Sequence, residues 1–136
     1  MTKRAVAAAA VIVAGLVSAA GADPVSGLWK TQPGETGGYA HVEIAPCGAS
    51  ICGTIVKTVA GDAASGIADP TGKPILWDMK PNGDGRYTGG KIWAPDTDKT
   101  YKSQMTLQSP SKLKVQGCVG VCTALTSRSQ TWTRIN

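Results

Sequence analysis

Beyond Ala22 the chain is a succession of short β-type runs separated by turn residues, with no convincing helical run. The pattern is clearest in Arg86–Leu107, RYTGGKIWAPDTDKTYKSQMTL, where two runs rich in β-branched and aromatic residues flank a tight polar turn. In the turn, Pro95 presets one φ, and Asp96, Thr97 and Asp98 follow with side chains that bond their own backbone; aspartate also tolerates left-handed φ. Gly89-Gly90 interrupts the first run, as expected of a bulge, a bend or a close backbone approach.

The remaining runs follow the same grammar. Candidate strands are Ser26–Gln32, Tyr39–Ala45, Ile51–Val59, Pro74–Met79, Arg86–Ala94, Lys99–Gln108, Lys112–Cys118 and Ala124–Ile135. Tyr39–Ala45 alternates, with Ala40, Val42 and Ile44 on one face and Tyr39, His41 and Glu43 on the other. Pro81-Asn82-Gly83-Asp84-Gly85 reads as a turn, and Ala60–Pro70 as a long loop or a single helical turn. Short connections between sequential strands favour antiparallel neighbours. The expectation is an all-β, antiparallel up-and-down barrel of about eight strands, the alternative a two-sheet sandwich. In a closed barrel the first and last strands meet, which would lay Arg134 over the Trp29 ring.

Residues 1–22 have another character. Lys3-Arg4, an apolar run from Ala5 to Val17 and the site Ala20-Gly21-Ala22 are laid out as a secretory signal peptide. The apolar run is shorter than the roughly 20 residues that span a bilayer. Cleavage after Ala22 would leave Asp23–Asn136, one domain's worth, in the periplasm or secreted and not membrane-spanning. The four cysteines then meet an oxidising compartment. Their spacing favours two local bridges, Cys47–Cys52 and Cys118–Cys122, each across the neck of a glycine-containing turn. Neither pair has the spacing common in zinc sites, so no metal is expected. Phenylalanine is absent, which leaves the core to Ile, Val, Leu and the four tryptophans. The formal charge is +5, but the lysines never form a run, which argues against nucleic acid as a partner.

Taken together, Gly27-x-Trp29, Ile51-Cys52-Gly53, Gly89-Gly90-x-Ile92-x-x-Pro95, Lys99-x-Tyr101, Gly117-Cys118 and Gln130-Thr131-Trp132-Thr133-Arg134 resemble the bacterial secreted family numbered 2147 among domains of unknown function. The resemblance spans nearly the whole chain after Ala22. Asp98 stands where that family usually has glycine before Lys-x-Tyr, a tolerable exchange because aspartate can adopt left-handed φ. The resemblance implies a small exported barrel akin to the lipocalin-like group, whose Gly-x-Trp and late arginine match Gly27-x-Trp29 and Arg134. It implies no established activity, and extending ligand binding from lipocalins is an argument from fold.

Chemistry-bearing residues are few. His41 and Glu43 share a strand face, but no serine sits in a nucleophile turn and no cysteine is expected free, so a half-exposed strand face is the better account. Asp96-x-Asp98 lacks the glycine and late glutamate of a calcium loop. The last strand is different: Arg128, Gln130, Trp132 and Arg134 alternate onto one face. If Trp132 points inward, so do Arg128 and Gln130; the competing arrangement turns that polar face outward with Trp132 at the surface. With Tyr101 and either Gln104 or Ser103 from the central hairpin, an inward arginine would present a site for a polar or anionic ligand. The expected function is therefore non-catalytic binding of a small molecule, lipid or envelope component, without a cofactor. The alternatives are an envelope protein-interaction module anchored by Trp77 or Trp93, and, third, an enzyme using His41.

Overall fold

The computed structural model describes residues 23–34, 37–60, 69–123 and 125–136. The stretch read as a signal peptide, residues 1–22, lies outside the described residues, as does most of the long loop, 61–68. Eight strands follow in chain order: β1 (Gly27–Lys30), β2 (Tyr39–Cys47), β3 (Ser50–Val59), β4 (Pro74–Gly83), β5 (Arg86–Ala94), β6 (Lys99–Ser109), β7 (Lys112–Cys118) and β8 (Ser127–Arg134). Each pairs antiparallel with its sequence neighbour, and β1 also pairs with β8, Trp29 opposite Arg134 and Lys30 opposite Thr133. The sheet is thus a closed barrel in the order β1 to β8, the architecture expected in preference to a sandwich. The seam is short: β1 and β8 meet over these two pairs, and Ser127–Trp132 lie beyond them.

One end of the barrel is latched shut. The Arg134 guanidinium lies 4.4 Å from the centroid of the Trp29 ring. It donates to three backbone carbonyls: from Nε to Pro110 at 2.5 Å, from Nη1 to Ser26 at 2.8 Å and from Nη2 to Pro24 at 2.6 Å. Trp29 is fully buried, and its indole N–H donates to the Val25 carbonyl at 2.9 Å. Gly27 makes room for this arrangement. Its φ is +142°, and a Cβ there would lie 2.5 Å from Arg134 Nη1 and 2.7 Å from the Asn136 carbonyl oxygen.

Tyr87 closes the same end, buried, its hydroxyl donating to Asp23 Oδ1 at 2.5 Å. Burial first, then the Asp23 carboxylate, push its phenol well above the ordinary tyrosine range. Below about pH 10 the phenol is protonated in both folded and unfolded chains, and its contribution to stability is complete. As pH rises further the unfolded chain loses that proton while the barrel keeps it, so stability falls by about 1.4 kcal/mol per pH unit until the buried phenol ionises. Denaturant midpoints of the protein and of Tyr87→Phe measured across pH 9 to 11, roughly the range of free phenols, should converge as pH rises. A constant gap between them would contradict the linkage.

The barrel interior is filled, not hollow, through its latched and central parts. Val42, Ile44, Ile55, Leu76, Met79, Met105, Leu113, Val115 and Trp132 are all at most 2% exposed and form one cluster with Trp29 and Tyr87. Two tryptophans and two methionines carry the bulk that phenylalanine would supply elsewhere, so the expectation that all four tryptophans build the core is corrected. Trp77 and Trp93 are only partly buried. Methionine suits such a site because its flexible chain fills irregular gaps. Met79 does so by crossing Gly90: a Cβ there would lie 2.6 Å from Met79 Sδ and 2.7 Å from the Trp77 carbonyl oxygen. Beside it Gly89, at φ +75°, forms the expected bulge, and the β5–β6 register shifts between Tyr87 and Gly90.

Asp98 takes the left-handed φ its turn position calls for, +54°, and accepts a hydrogen bond from the Trp93 indole at 2.8 Å. Both disulfides are the local ones, with Cα–Cα separations of 5.9 Å for Cys47–Cys52 and 5.1 Å for Cys118–Cys122. Three expectations are corrected. The second bridge does not cross a hairpin neck. Cys122 lies in the β7–β8 loop, because β8 begins at Ser127 and not at Ala124. The β4–β5 turn is Asp84-Gly85 alone: Pro81 and Asn82 belong to β4, where Pro81 sits opposite Tyr87 and Asn82 donates to Thr88 Oγ1 at 2.8 Å. Pro81 is tolerated in the ladder because the register shifts between it and Gly83. The first strand, expected over Ser26–Gln32, is Gly27–Lys30.

Candidate functional site at the open mouth

Strand direction puts the latch, the Cys47–Cys52 hairpin and the turns at Asp84-Gly85 and Pro110-Ser111 at one end. The strand ends at Lys30, Val59, Ala94 and Cys118 lie at the other. At this second end the inner face changes character. The β7–β8 register is unbroken: Leu113 faces Trp132, Val115 faces Gln130 and Gly117 faces Arg128. Trp132 is 1% exposed and inward, so period-2 alternation puts Gln130 and Arg128 on the same inner face. Both are exposed. The arrangement with Trp132 at the surface is thereby corrected.

Gln130 is held in one orientation. The Trp132 indole can only donate, and it donates to Gln130 Oε1 at 2.9 Å, which assigns the amide and leaves the Gln130 NH2 group as its donor end. Gly117 leaves a gap across from Arg128, and the Ile92 side chain would lie 3.4 Å and the Tyr101 Cβ 3.9 Å from a Cβ placed there. Ile92 and Tyr101, both half-buried and paired across β5 and β6, form an apolar shoulder of the mouth. Arg128, Gln130 and Tyr101 are therefore gathered at one end of the barrel.

Gln104 is not part of that group. Ser103 and Met105 are the inward residues of β6, buried, with Ser103 donating to the Gln116 carbonyl at 2.6 Å. Gln104 faces outward and donates to Gln116 Oε1 at 3.0 Å; Gln116 in turn donates to Ser127 Oγ at 3.3 Å. Of the two residues left open on that strand, Ser103 is the interior one. Ser103 has the parity of Met105, two residues on along an unbroken stretch of β6.

On the β3 side the rim is a compact hydrogen-bonded knot. Thr58 donates to Asp69 Oδ1 at 2.9 Å, and Asp69 also receives the Thr71 hydroxyl at 2.7 Å and the Thr71 backbone N–H at 3.0 Å. The Thr71 bonds, then Thr58, lower the Asp69 pKa below its ordinary value. Asp69 falls in the Ala60–Pro70 stretch expected as a loop or a helical turn, and an Asp-x-Thr spacing ahead of a strand is the signal that points to this knot. His41 is elsewhere: it lies on the outer wall, stacked on Tyr39 at 5.9 Å, opposite Lys30. Trp77 is also on the outer wall, opposite Lys91. Among the described residues, no group of three or more His, Cys, Asp or Glu side chains is placed to hold a metal ion.

Two comparisons with known proteins agree with this architecture. The fold matches that of protein HP1028 from the human pathogen Helicobacter pylori, which belongs to the lipocalin family. The match has a TM-score of 0.66 at 20% sequence identity and covers 82% of this chain and 83% of that one. The fold is thus lipocalin-like. No curated protein matches the sequence. Residues 27–134 match the family described as uncharacterised proteins conserved in bacteria, DUF2147, and it is to that family that the chain belongs.

Proposed function

We propose that this protein is a non-catalytic binding protein of the cell envelope, periplasmic or secreted, whose site is the open mouth of the barrel. Its ligand class is a small anionic amphiphile. The reading rests on strand parity: Arg128, Gln130 and Tyr101, each with a side-chain donor, occupy inward positions at this end of the barrel, beyond a core that is already filled. A carboxylate or phosphate head satisfies such donors, arginine most strongly. Ile92 and Tyr101 offer apolar contact to a short body, and the packed layer of Trp132, Val115 and Met105 leaves no depth for a long acyl chain. The two disulfides are consistent with an extracytoplasmic protein.

The interaction-module alternative loses one of the two tryptophans first named for it. Trp93 is packed against the core and bonded to Asp98, so it is not a free anchor. Catalysis by His41 would need a cleft around a residue that sits on the convex outer wall.

Native mass spectrometry of the protein purified from its own envelope, followed by titration of the ligand class it retains, tests the proposal. Arg128→Met keeps the aliphatic stem and removes the charge. It should weaken binding of a carboxylate ligand by about tenfold or more, the worth of a charge-assisted hydrogen bond. Unchanged affinity in that variant would overturn the assignment.

A further inference from the structure

The outer wall carries a second, independent feature that the mouth does not use. Three exposed apolar side chains sit in the β7–β8 loop: Val119 at 69%, Val121 at 74% and Leu125 at 97% exposure. A free loop would not hold them out at such cost, but this one is pinned. The Cys118–Cys122 bridge ties it to β7, the Thr126 hydroxyl donates to the Val121 carbonyl, and the Val119 N–H donates to the Thr126 carbonyl at 2.9 Å. The loop folds back over the outside of the barrel, which buries Cys118 to 2%.

Where it folds back, it borders cations. Lys91 and Lys102 are directly opposite one another across β5 and β6. Like charges in that position destabilise a sheet unless something answers them. They line an open groove of about 330 Å³ with Gly89, Gln104, Gly120 and Val121. Trp77 is paired with Lys91 on the next strand, so the outer row runs Trp77, Lys91, Lys102 and then the apolar loop. No acidic residue occurs in β5, β6, β7 or β8, whereas Arg86, Lys91, Lys99, Lys102, Lys112, Lys114, Arg128 and Arg134 all do. On the outer face of this half the strands carry Arg86, Lys91, Lys102, Lys112 and Lys114 and no acid; its aspartates, Asp84, Asp96 and Asp98, sit in the turns.

We propose that the row Trp77–Lys91–Lys102, with the bridged loop carrying Val121 and Leu125, is a docking surface for an anionic lipid bilayer. The lysines meet lipid phosphates in the groove, while the loop tip enters the boundary between headgroups and acyl chains. Apolar side chains held out beside lysines and a tryptophan are the combination that interfacial binding calls for. A protein partner would answer the apolar tip, yet would need a large acidic face to answer the wall; an anionic membrane answers both at once. None of these residues lines the mouth, so the inference stands or falls separately from the ligand proposal.

The test is vesicle co-sedimentation of the exported protein, its N-terminus first established by sequencing. Vesicles rich in phosphatidylglycerol are compared with pure phosphatidylcholine. The protein should bind the anionic vesicles, and added salt should weaken it. Lys91→Gln with Lys102→Gln should reduce partitioning about fivefold per lysine. Val121→Ser with Leu125→Ser should reduce it at least about tenfold. In Leu125→Trp the added tryptophan should be quenched by lipids brominated on their acyl chains, a readout that requires insertion and not only adhesion. Equal partitioning of the protein and both double variants would overturn the proposal, and so would an unquenched Leu125→Trp. Displacement by millimolar inorganic phosphate would reassign the groove to free anions, and loss of self-association in the serine variant would reassign the loop to a second copy; either result overturns the membrane reading.

Discussion

Trp29→Ala is expected to cost the barrel about 3–5 kcal/mol, the range for deleting a buried aromatic. The position is fully buried between the latch and the core, so the surrounding wall, fixed by closure on both sides, can collapse only partly into the space. The substitution also leaves the Val25 carbonyl without its indole donor and removes the ring beneath Arg134. Denaturant unfolding read by circular dichroism measures the loss. A milder pair of changes separates the parts. Arg134→Met should cost on the order of 1 kcal/mol or more in the unmodified protein, from the cation–π contact and the hydrogen bonds to three carbonyls. In a Trp29→Leu background the same change should cost less by about 0.5–2 kcal/mol, because the ring is gone. Equal costs in the two backgrounds would mean that the ring and the guanidinium are not coupled.

Gly27→Ala is the second large effect, about 2–4 kcal/mol, though it adds a single carbon. Two penalties combine there: a backbone conformation that side chains rarely adopt, and a Cβ driven into Arg134 and the Asn136 carbonyl. Gly72→Ala is the control. Gly72 has φ +91°, but a Cβ there meets nothing within 4 Å, so only the conformational penalty of about 1–2 kcal/mol applies. The difference between the two alanine variants measures how tightly the latch is packed. Indistinguishable losses would show that Arg134 moves aside without consequence.

Features governed by local rules were legible in the chain. The turn at Asp98, the bulge at Gly89-Gly90, the alternation of β2 and the two bridges each follow from a few neighbouring residues. The Trp29–Arg134 contact is long-range, yet it was legible too, because closure of an up-and-down barrel leaves the terminal strands no other neighbour. What escaped depends on register and volume. Whether Ser103 or Gln104 faces inward follows from the parity of Met105 along β6, which is set only when the strands pair. Trp132 was readable as inward or outward until β7 fixed its partner at Leu113. That the interior is filled depends on the summed volume of Met79, Met105 and Trp132 within one cluster, which no single strand reveals. The acid-free character of β5 to β8 was present in the sequence all along. A search for lysine runs passes over it, since those charges become neighbours only when the strands pair.

The barrel is packed at the Trp29 end, and the proposed ligand site lies at the Trp132 end. Tryptophan side chains at both ends make one measurement decisive. The indole N–H of Trp29 donates to Val25 inside the latch, and that of Trp132 donates to Gln130 at the mouth. In nitrogen-15 correlation spectra, titration with the ligand class retained by the native protein should move the Trp132 indole resonance and the Gln130 side-chain amide, and leave the Trp29 indole in place. Movement of the Trp29 indole with Trp132 unchanged, or saturation of binding with neither displaced, would contradict the account.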